Sequence, residues 1–568
     1  MAVAGVATLA LLERPSLWRR LAVATLAALA VTAAATAADA PVVTITQTLP
    51  GLNNVSSGGF EPPDVQVAAG PGYVVEMVNL AVRFWRTGNG PAEQLTTMRL
   101  ESFFGTDADR LTDPRVVYDT QTGRWWASIS DLDAKSVHVA VSDTSDPTGH
   151  WTISSYEARG CADQPRLGLA DGLVVLGADI FQNCEGEGSP ASGSELWIIN
   201  KAQLLAGSAT PAMTTYGPDA GLASLTPVQS LSPTATEYVV SVNEPTSRVA
   251  HVLAVAGIPP ASVSVTEVAT PSINRLGRPP FAAQPATKGR ASPGLDTNDD
   301  RVLDAVWQNG KLWFAANSGC VPPGDPLIRS CARIVELATP AMTVATDVDL
   351  SAAGANFLYP ALRPNGNGDL VIVYGESGIT IAPSTVVVAR TADGTFTQPV
   401  VIAKSASPYR GNRYGDYFGA AVDPTDPATV WVAGESGTDI AGGGGWSTYV
   451  ASAAVTPAGG TAPPVLVAPP PAVRAVAAVG RGGKLVQLSY RPVVDGLGVR
   501  AVVTVRSLRG AIVVRKTSGT ITVHSGQAYS VPWQPAKALR GTFGYCVRTV
   551  TPAGVSSPPG CSTVTLHR

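Results

Sequence analysis

The chain has 568 residues, of which 45% are hydrophobic and only 15% charged, and its formal net charge at pH 7 is −3. That length leaves room for a large core and more than one domain. The near-neutral charge and the lack of a basic stripe argue against a nucleic-acid partner, and no segment after residue 40 is apolar for long enough to span a bilayer.

The N-terminus reads as an export signal over residues 1–40. Arg14, Arg19 and Arg20 precede an apolar stretch at 21–38, and Ala38-Asp39-Ala40 fits cleavage before Pro41. The apolar residues 1–12 ahead of the arginines are unusual for such a signal, and Arg19-Arg20 is a weak twin-arginine match. An uncleaved membrane anchor is the competing reading. Next comes a short strand at 42–47, placed to pair with the last element of the repeat below and hide a free edge.

Between residues 60 and 455 one phrase returns. A polar or acidic turn, often with Pro, leads into a short apolar strand, a tight Gly or Asn/Asp turn, and a second strand carrying Trp or Val/Ile. The starts are Pro62-Pro63-Asp64, Asp113-Pro114-Arg115, Asp163-Gln164-Pro165, Thr226-Pro227-Val228, Leu303-Asp304-Ala305, Tyr359-Pro360-Ala361 and Gly415-Asp416-Tyr417. Their spacing of about 50 to 75 residues suits a four-stranded blade with its loops, so residues 41–455 are expected to form a β-propeller of about seven blades. The second return is the plainest: Val137, Val139 and Val141 alternate with His138 and Ala140 at period two. Gly375-Glu376-Ser377-Gly378 recurs as Gly434-Glu435-Ser436-Gly437, each just after a second strand. Abundant Gly (57) and Pro (46), with no helical periodicity after residue 40, complete an all-β reading. Residues 456–470 are rich in Pro, Ala and Gly and read as a linker. Short strands with regular turns then predict a small β-sandwich over 471–568.

Six cysteines fall into sequence-local pairs, Cys161 with Cys184, Cys320 with Cys331, and Cys546 with Cys561, each bracketing one loop or hairpin. An oxidising, extracellular compartment permits such bonds. No CxxC spacing or His cluster points to zinc.

Glu61-Pro62-Pro63-Asp64, Ala69-Gly70-Pro71-Gly72, Asp113-Pro114 with Tyr118-Asp119, Ser145-Asp146-Pro147-Thr148-Gly149 and Arg413-Tyr414-Gly415-Asp416-Tyr417 carry a family resemblance. Over residues 55–455 the chain resembles a group of exported bacterial propellers similar to the sialidase-like (BNR) proteins. The C-terminal part, through Gly541-Thr542-Phe543, Cys546-Val547 and Gly554-Val555-Ser556, resembles fibronectin type III and other immunoglobulin-like modules. The resemblance implies a fold and not an activity. The early Arg motif of a sialidase is absent, and the segment 145–151 is a degenerate Asp-box with its Asp-to-Gly spacing one residue too long.

In a propeller each inner strand starts at one central funnel. The candidate ligand-binding set is therefore Asp64, Asp113, Arg115, Asp163, Arg166, Asp304, Tyr359, Arg413 and Asp416. Crowded carboxylates titrate high unless paired. Arg115 lies on the same strand face as Asp113, and Arg166, Arg301 and Arg413 are expected to neutralise Asp163, Asp304 and Asp416. The competing reading is that these Asp side chains cap inner-strand turns. No catalytic or metal-ligating residue is assigned, and no cofactor is expected. Asp296-Thr297-Asn298-Asp299-Asp300 fails the EF-hand pattern, since Arg301 and Trp307 stand where Gly and Glu are needed, which leaves calcium only through another loop type. Glycoside hydrolysis needs two carboxyls flanking one bond, and Glu376 and Glu435 are alternative acids better read as turn residues. The expected function is a secreted or surface-associated binding protein for an extracellular glycan or surface protein. A secreted carbohydrate-active enzyme, a hydrolase or lyase with its site in the funnel, is the alternative.

Overall fold

The computed structural model describes residues 40–567, apart from 186–187, 243–247, 288, 406, 438–444, 461–469 and 553–555. Apart from Ala40, the expected export signal lies outside the described residues, as does most of the linker.

Among the described residues, 42–456 build seven four-stranded antiparallel units, here blades 1 to 7. Five are separate sheets. Blades 3 and 5 are joined into one larger sheet by the two residues Gln229–Ser230, which continue the inner strand of blade 4. From the centre outward, blade 1 runs through Gln66–Gly70, Tyr73–Val78, Ala81–Arg86 and Glu93–Arg99. The inner strands of the other blades begin at Leu111, Cys161, Thr226, Val302, Asn356 and Gly419. Each inner strand touches the next, and that of blade 7 touches that of blade 1 again, so the units form a closed propeller.

This stacking explains the sequence pattern. A middle strand has a neighbouring blade on both faces, so Ser136–Ser142 is buried at every position and Leu173–Phe181 at all but the last. The outermost Ser264–Ala269 is largely exposed. Apolar runs therefore mark middle strands, while alternation survives only towards the rim. The ring closes tightly: a Cβ on Gly419 would lie 2.6 Å from the backbone nitrogen of Val67.

The expected closing strand is present and longer than its sequence pattern indicated. Val42–Asn53 forms the outermost strand of blade 7, pairing from Val42 opposite Thr456 to Asn53 opposite Ser447 with register shifts between Ile45 and Gln47 and between Pro50 and Asn53. Blade 7 thus combines both ends of the propeller chain. Glu76, buried in blade 1, accepts from the Leu52 amide at 3.0 Å and from the Thr448 hydroxyl, tying the closing strand to its neighbour.

Residues 473–567 form a β-sandwich whose two sheets share one core, including Leu488, Tyr490, Val503, Trp533, Tyr545 and Val564. All three expected disulfides are formed. The sandwich packs against the propeller. Arg83 of blade 1 donates to Gly51 O in the closing strand at 2.8 Å and to Asp495 Oδ2 at 2.6 Å, and both side chains of that ion pair are almost fully buried. The Ser525 amide also donates to Asp495, and His524 Nδ1 lies 3.9 Å from it.

Candidate functional site

The funnel is built by a repeated backbone device. Asp113-Pro114, Gln164-Pro165 and Tyr359-Pro360 each occupy an inner strand, and the first residue of each pair has a left-handed φ of 59°, 50° and 52°. The pairing register slips at the same steps, between Thr112 and Arg115, Asp163 and Arg166, and Leu358 and Ala361. These are β-bulges, which re-aim side chains at a strand end. A left-handed residue before proline is strained, and here it is held by the blade before it. The Asp113 amide donates to Asn79 Oδ1 at 2.8 Å, Gln164 N to Asp113 Oδ2 at 3.4 Å, and Tyr359 N to Asn317 Oδ1 at 2.7 Å. In blade 4 Ser224, with φ 51°, donates to Asp179 Oδ1 at 2.8 Å. Asp64 closes the cycle, accepting the Asp416 amide at 2.8 Å and Asn79 Nδ2 at 2.7 Å.

Asp64 and Asp113 are therefore buried turn caps, 2% and 3% exposed. Asp304, partly exposed, accepts the amide of Leu362 within the inner strand of blade 6 at 2.9 Å. Of the four Arg–Asp pairings expected from sequence proximity, only Arg413 with Asp416 is formed, at 2.6 Å. Arg166 lies 3.7 Å from Asp179 instead of pairing with Asp163. Arg301 binds Asp299 at 2.5 Å and Asp179 at 3.2 Å, and Asp304 belongs to Arg363 at 2.5 Å. Arg115 makes no ion pair with Asp113; its guanidinium lies 3.5 Å from the ring centroid of Tyr417. The reason is geometric. The bulge separates residues two apart in the chain, while the neighbouring blade brings in groups far away in sequence.

Sequence reading missed the second-strand partners Asn79, Asp179 and Asn317. Their signal was a buried polar residue near the end of a mostly apolar second strand. It also missed the roof of the funnel, the long connection 270–301 between blades 4 and 5. Ala282 and Leu295 bond each other reciprocally at 2.8 Å, and Gln284 Nε2 donates to Tyr409 O at 3.1 Å while Tyr409 N donates back at 2.7 Å. Tyr359, expected to face a ligand, is fully buried and donates its hydroxyl to Asp296 O at 2.7 Å. Arg301 runs from the roof into the ring and reaches Gln164 Oε1 at 3.2 Å. Asp163, Asp296, Asp299, Arg301 and Arg413 stay partly exposed around it. Between the roof tip and residues 407–410 lies an open cleft of about 670 Å³, lined by Thr287, Arg290, Ser292, Tyr409 and Arg410 among others. Among the described residues no Asp or Glu lines it.

Burial is the largest influence on the ring's acids. It raises Asp163 and Asp416 to about 7, with the Asp113 charge adding to both and Arg301 and Arg413 opposing. Asp64 is raised well above the usual range by burial and then by Asp416 and Asp113. Glu435, fully buried in blade 7 with neither carboxyl oxygen hydrogen-bonded, is raised by burial as well. In the folded protein these groups hold protons between about pH 4 and 7 that the unfolded chain has released. Their contribution to stability is complete below about pH 4 and is lost as pH rises through 7. Melting temperature is therefore expected to fall from pH 5 to pH 8, and Asp416→Asn to flatten that slope; a flat or rising wild-type profile would contradict it. Asp179, held low by Arg166 and Arg301 against its burial, acts in the opposite sense below pH 4.

Among the described residues no group of three or more His, Cys, Asp or Glu side chains is placed to hold a metal ion, including the 296–300 segment. No helix among them is long and apolar enough to cross a membrane. No family model and no curated protein matches the chain. Solved structures with similar architecture include the phage phi92 endosialidase (8% identity, TM-score 0.35, covering 92% of this chain and 87% of that one). A mutant of Trypanosoma rangeli sialidase displaying trans-sialidase activity (10%, 0.31, 88% and 91%) and the polysaccharide lyase Uly1 (8%, 0.32, 94% and 100%) are others. At these identities and scores the likeness says nothing of chemistry.

Proposed function

We propose that this chain is an exported β-propeller that binds an extracellular glycan on its funnel face, with the C-terminal sandwich as spacer or accessory module. One observation carries this reading: Asp64, Asp113 and Asp416 are buried and engaged, while among the described residues the open cleft has no carboxyl pair. The cleft's size suits a small-ligand site. Its two guanidinium groups and its hydroxyls suit a sugar carrying carboxylate or sulfate, which Arg binds in bidentate fashion. The three disulfides agree with an oxidising compartment. The alternative, a carbohydrate-active enzyme, draws support from Asp163 and Asp416, two acids raised to about 7 and therefore suited to proton transfer at neutral pH.

Incubating the mature chain, from Pro41, with neutral and acidic polysaccharides and analysing the supernatant by mass spectrometry separates the readings. The expected result is retention on an acidic polymer with no released sugar, weakened at least about tenfold by Arg290→Ala with Arg410→Ala, the loss that one charge-assisted contact represents. Sugar release abolished by Asp416→Asn would replace binding with catalysis.

A further inference from the structure

Below the acid ring the channel changes sign. Residues 113, 164 and 359 are equivalent bulge positions, so Arg115 and Arg166 occupy the same level of adjacent inner strands, two residues further on. Arg363 lies two residues deeper on its own strand, pointing to the same side by the period-two rule. The three line one small cavity of about 30 Å³, together with Gln66, Thr226, Gln229 and Asp304. That is room for one or two water-sized occupants.

The charges there do not balance. Asp304 is the cavity's one carboxylate, and its Oδ2 is taken by Arg363 Nη1 and the Leu362 amide. Gln229 Oε1 accepts Arg363 Nε at 3.1 Å. Asp179, the nearest acid to Arg166, already accepts from Ser194, from the amide and hydroxyl of Ser224, and from Arg301. Arg166 is 3% exposed, and its Nε and Nη1 have no hydrogen-bond partner; its one bond runs from Nη2 to Gln164 Oε1 at 3.0 Å. Arg115 is 8% exposed and its Nε likewise has none. Its packing against Tyr417 covers one face of the guanidinium and supplies no acceptor in the plane where the N–H groups point. Burial pushes Arg166 down, with Asp179 opposing and Arg301 and Arg115 adding to the effect, as expected for neighbouring cations short of counter-charge. Leaving buried donors unmet is costly, and the ion pair of Arg166 with Asp179, at 3.7 Å, is too long to be a hydrogen bond.

We infer that the channel between Arg115 and Arg166 is a binding site for one small inorganic anion of about chloride size, which accepts from both guanidinium groups and pins blades 2 and 3 to the axis. The site is independent of the glycan cleft: it is far smaller, it lies among the inner strands, and no residue is common to the two linings.

The test is thermal unfolding of the full chain in sodium gluconate, with chloride or bromide substituted at constant ionic strength, gluconate being too large to enter. A ligand held only by the folded state stabilises by mass action, so a saturable rise of about 2 °C is expected over the millimolar range. Arg115→Met and Arg166→Met should each abolish the halide dependence. If either variant fails to fold, crystals of the wild-type protein grown in bromide decide: an anomalous peak within hydrogen-bond distance of both guanidinium groups, together with the saturable rise, supports the site. Neither a saturable response nor a peak overturns it. A peak at crystal concentrations without a saturable rise means an adventitious ion only, and overturns it as well.

Discussion

A chain beginning at residue 58 is expected to lose cooperative unfolding and to collect in the insoluble fraction. The residues removed include the whole closing strand Val42–Asn53, which supplies the outer edge of blade 7 and buries Val43, Leu49 and Leu52. Without it Trp446–Thr456 becomes a long, apolar open edge, the kind of strand that recruits other chains. Glu76 would also lose the Leu52 amide while remaining buried in blade 1. The summed loss exceeds the roughly 5–15 kcal/mol by which a typical domain is stable. Leu52→Ala is the graded version, expected to cost about 2–5 kcal/mol. Urea unfolding followed by tryptophan fluorescence measures both. A truncated chain with the parent's midpoint would mean that the ring closes without its N-terminal strand.

Arg83→Met is expected to cost about 3–5 kcal/mol, because removing one partner of a buried ion pair strands the other. Arg83 joins three pieces of chain: its own blade through Thr97 Oγ1 at 2.9 Å, the closing strand through Gly51 O, and the sandwich through Asp495. Asp495 keeps Ser525 and the nearby His524, which places the loss towards the lower end. Two readouts are needed. Urea unfolding gives the energy, and small-angle scattering tests whether the sandwich leaves the propeller. The double variant Arg83→Met, Asp495→Leu should recover most of the stability, since apolar replacements of both partners are often neutral. If the single variant is as stable as the parent and equally compact, the pair does not hold the two bodies together.

The fold was largely legible, and particular residues show why. The turn of Asn365 to Asp369 closes on itself, with the Asn365 amide donating to Asp369 O at 2.8 Å and Asn365 Oδ1 accepting the amides of Asn367 and Asp369 at 2.9 Å. Trp125 Nε1 donates to Ser145 O and Trp151 Nε1 to Pro147 O, both at 2.9 Å, so the degenerate Asp-box acts as an outer-strand turn within one blade. Such contacts lie within a few tens of residues and leave a repeated trace. A linker was expected between propeller and sandwich, and Arg83 and Asp495, 412 residues apart, join the two through a buried ion pair.

By itself, then, the sequence determined the strand and turn repeat and the need for an N-terminal strand at the ring's seam. Each follows from backbone preferences and apolar periodicity, which act between near neighbours in the chain. Which Asp meets which Arg was decided only by the tertiary structure. A bulge turns Asp113 away from Arg115, the roof carries Arg301 across to Asp179, and ring closure sets the Asp416 amide on Asp64, 352 residues earlier. Charge pairing depends on distances of a few ångströms across blades, and nothing local in the chain encodes those.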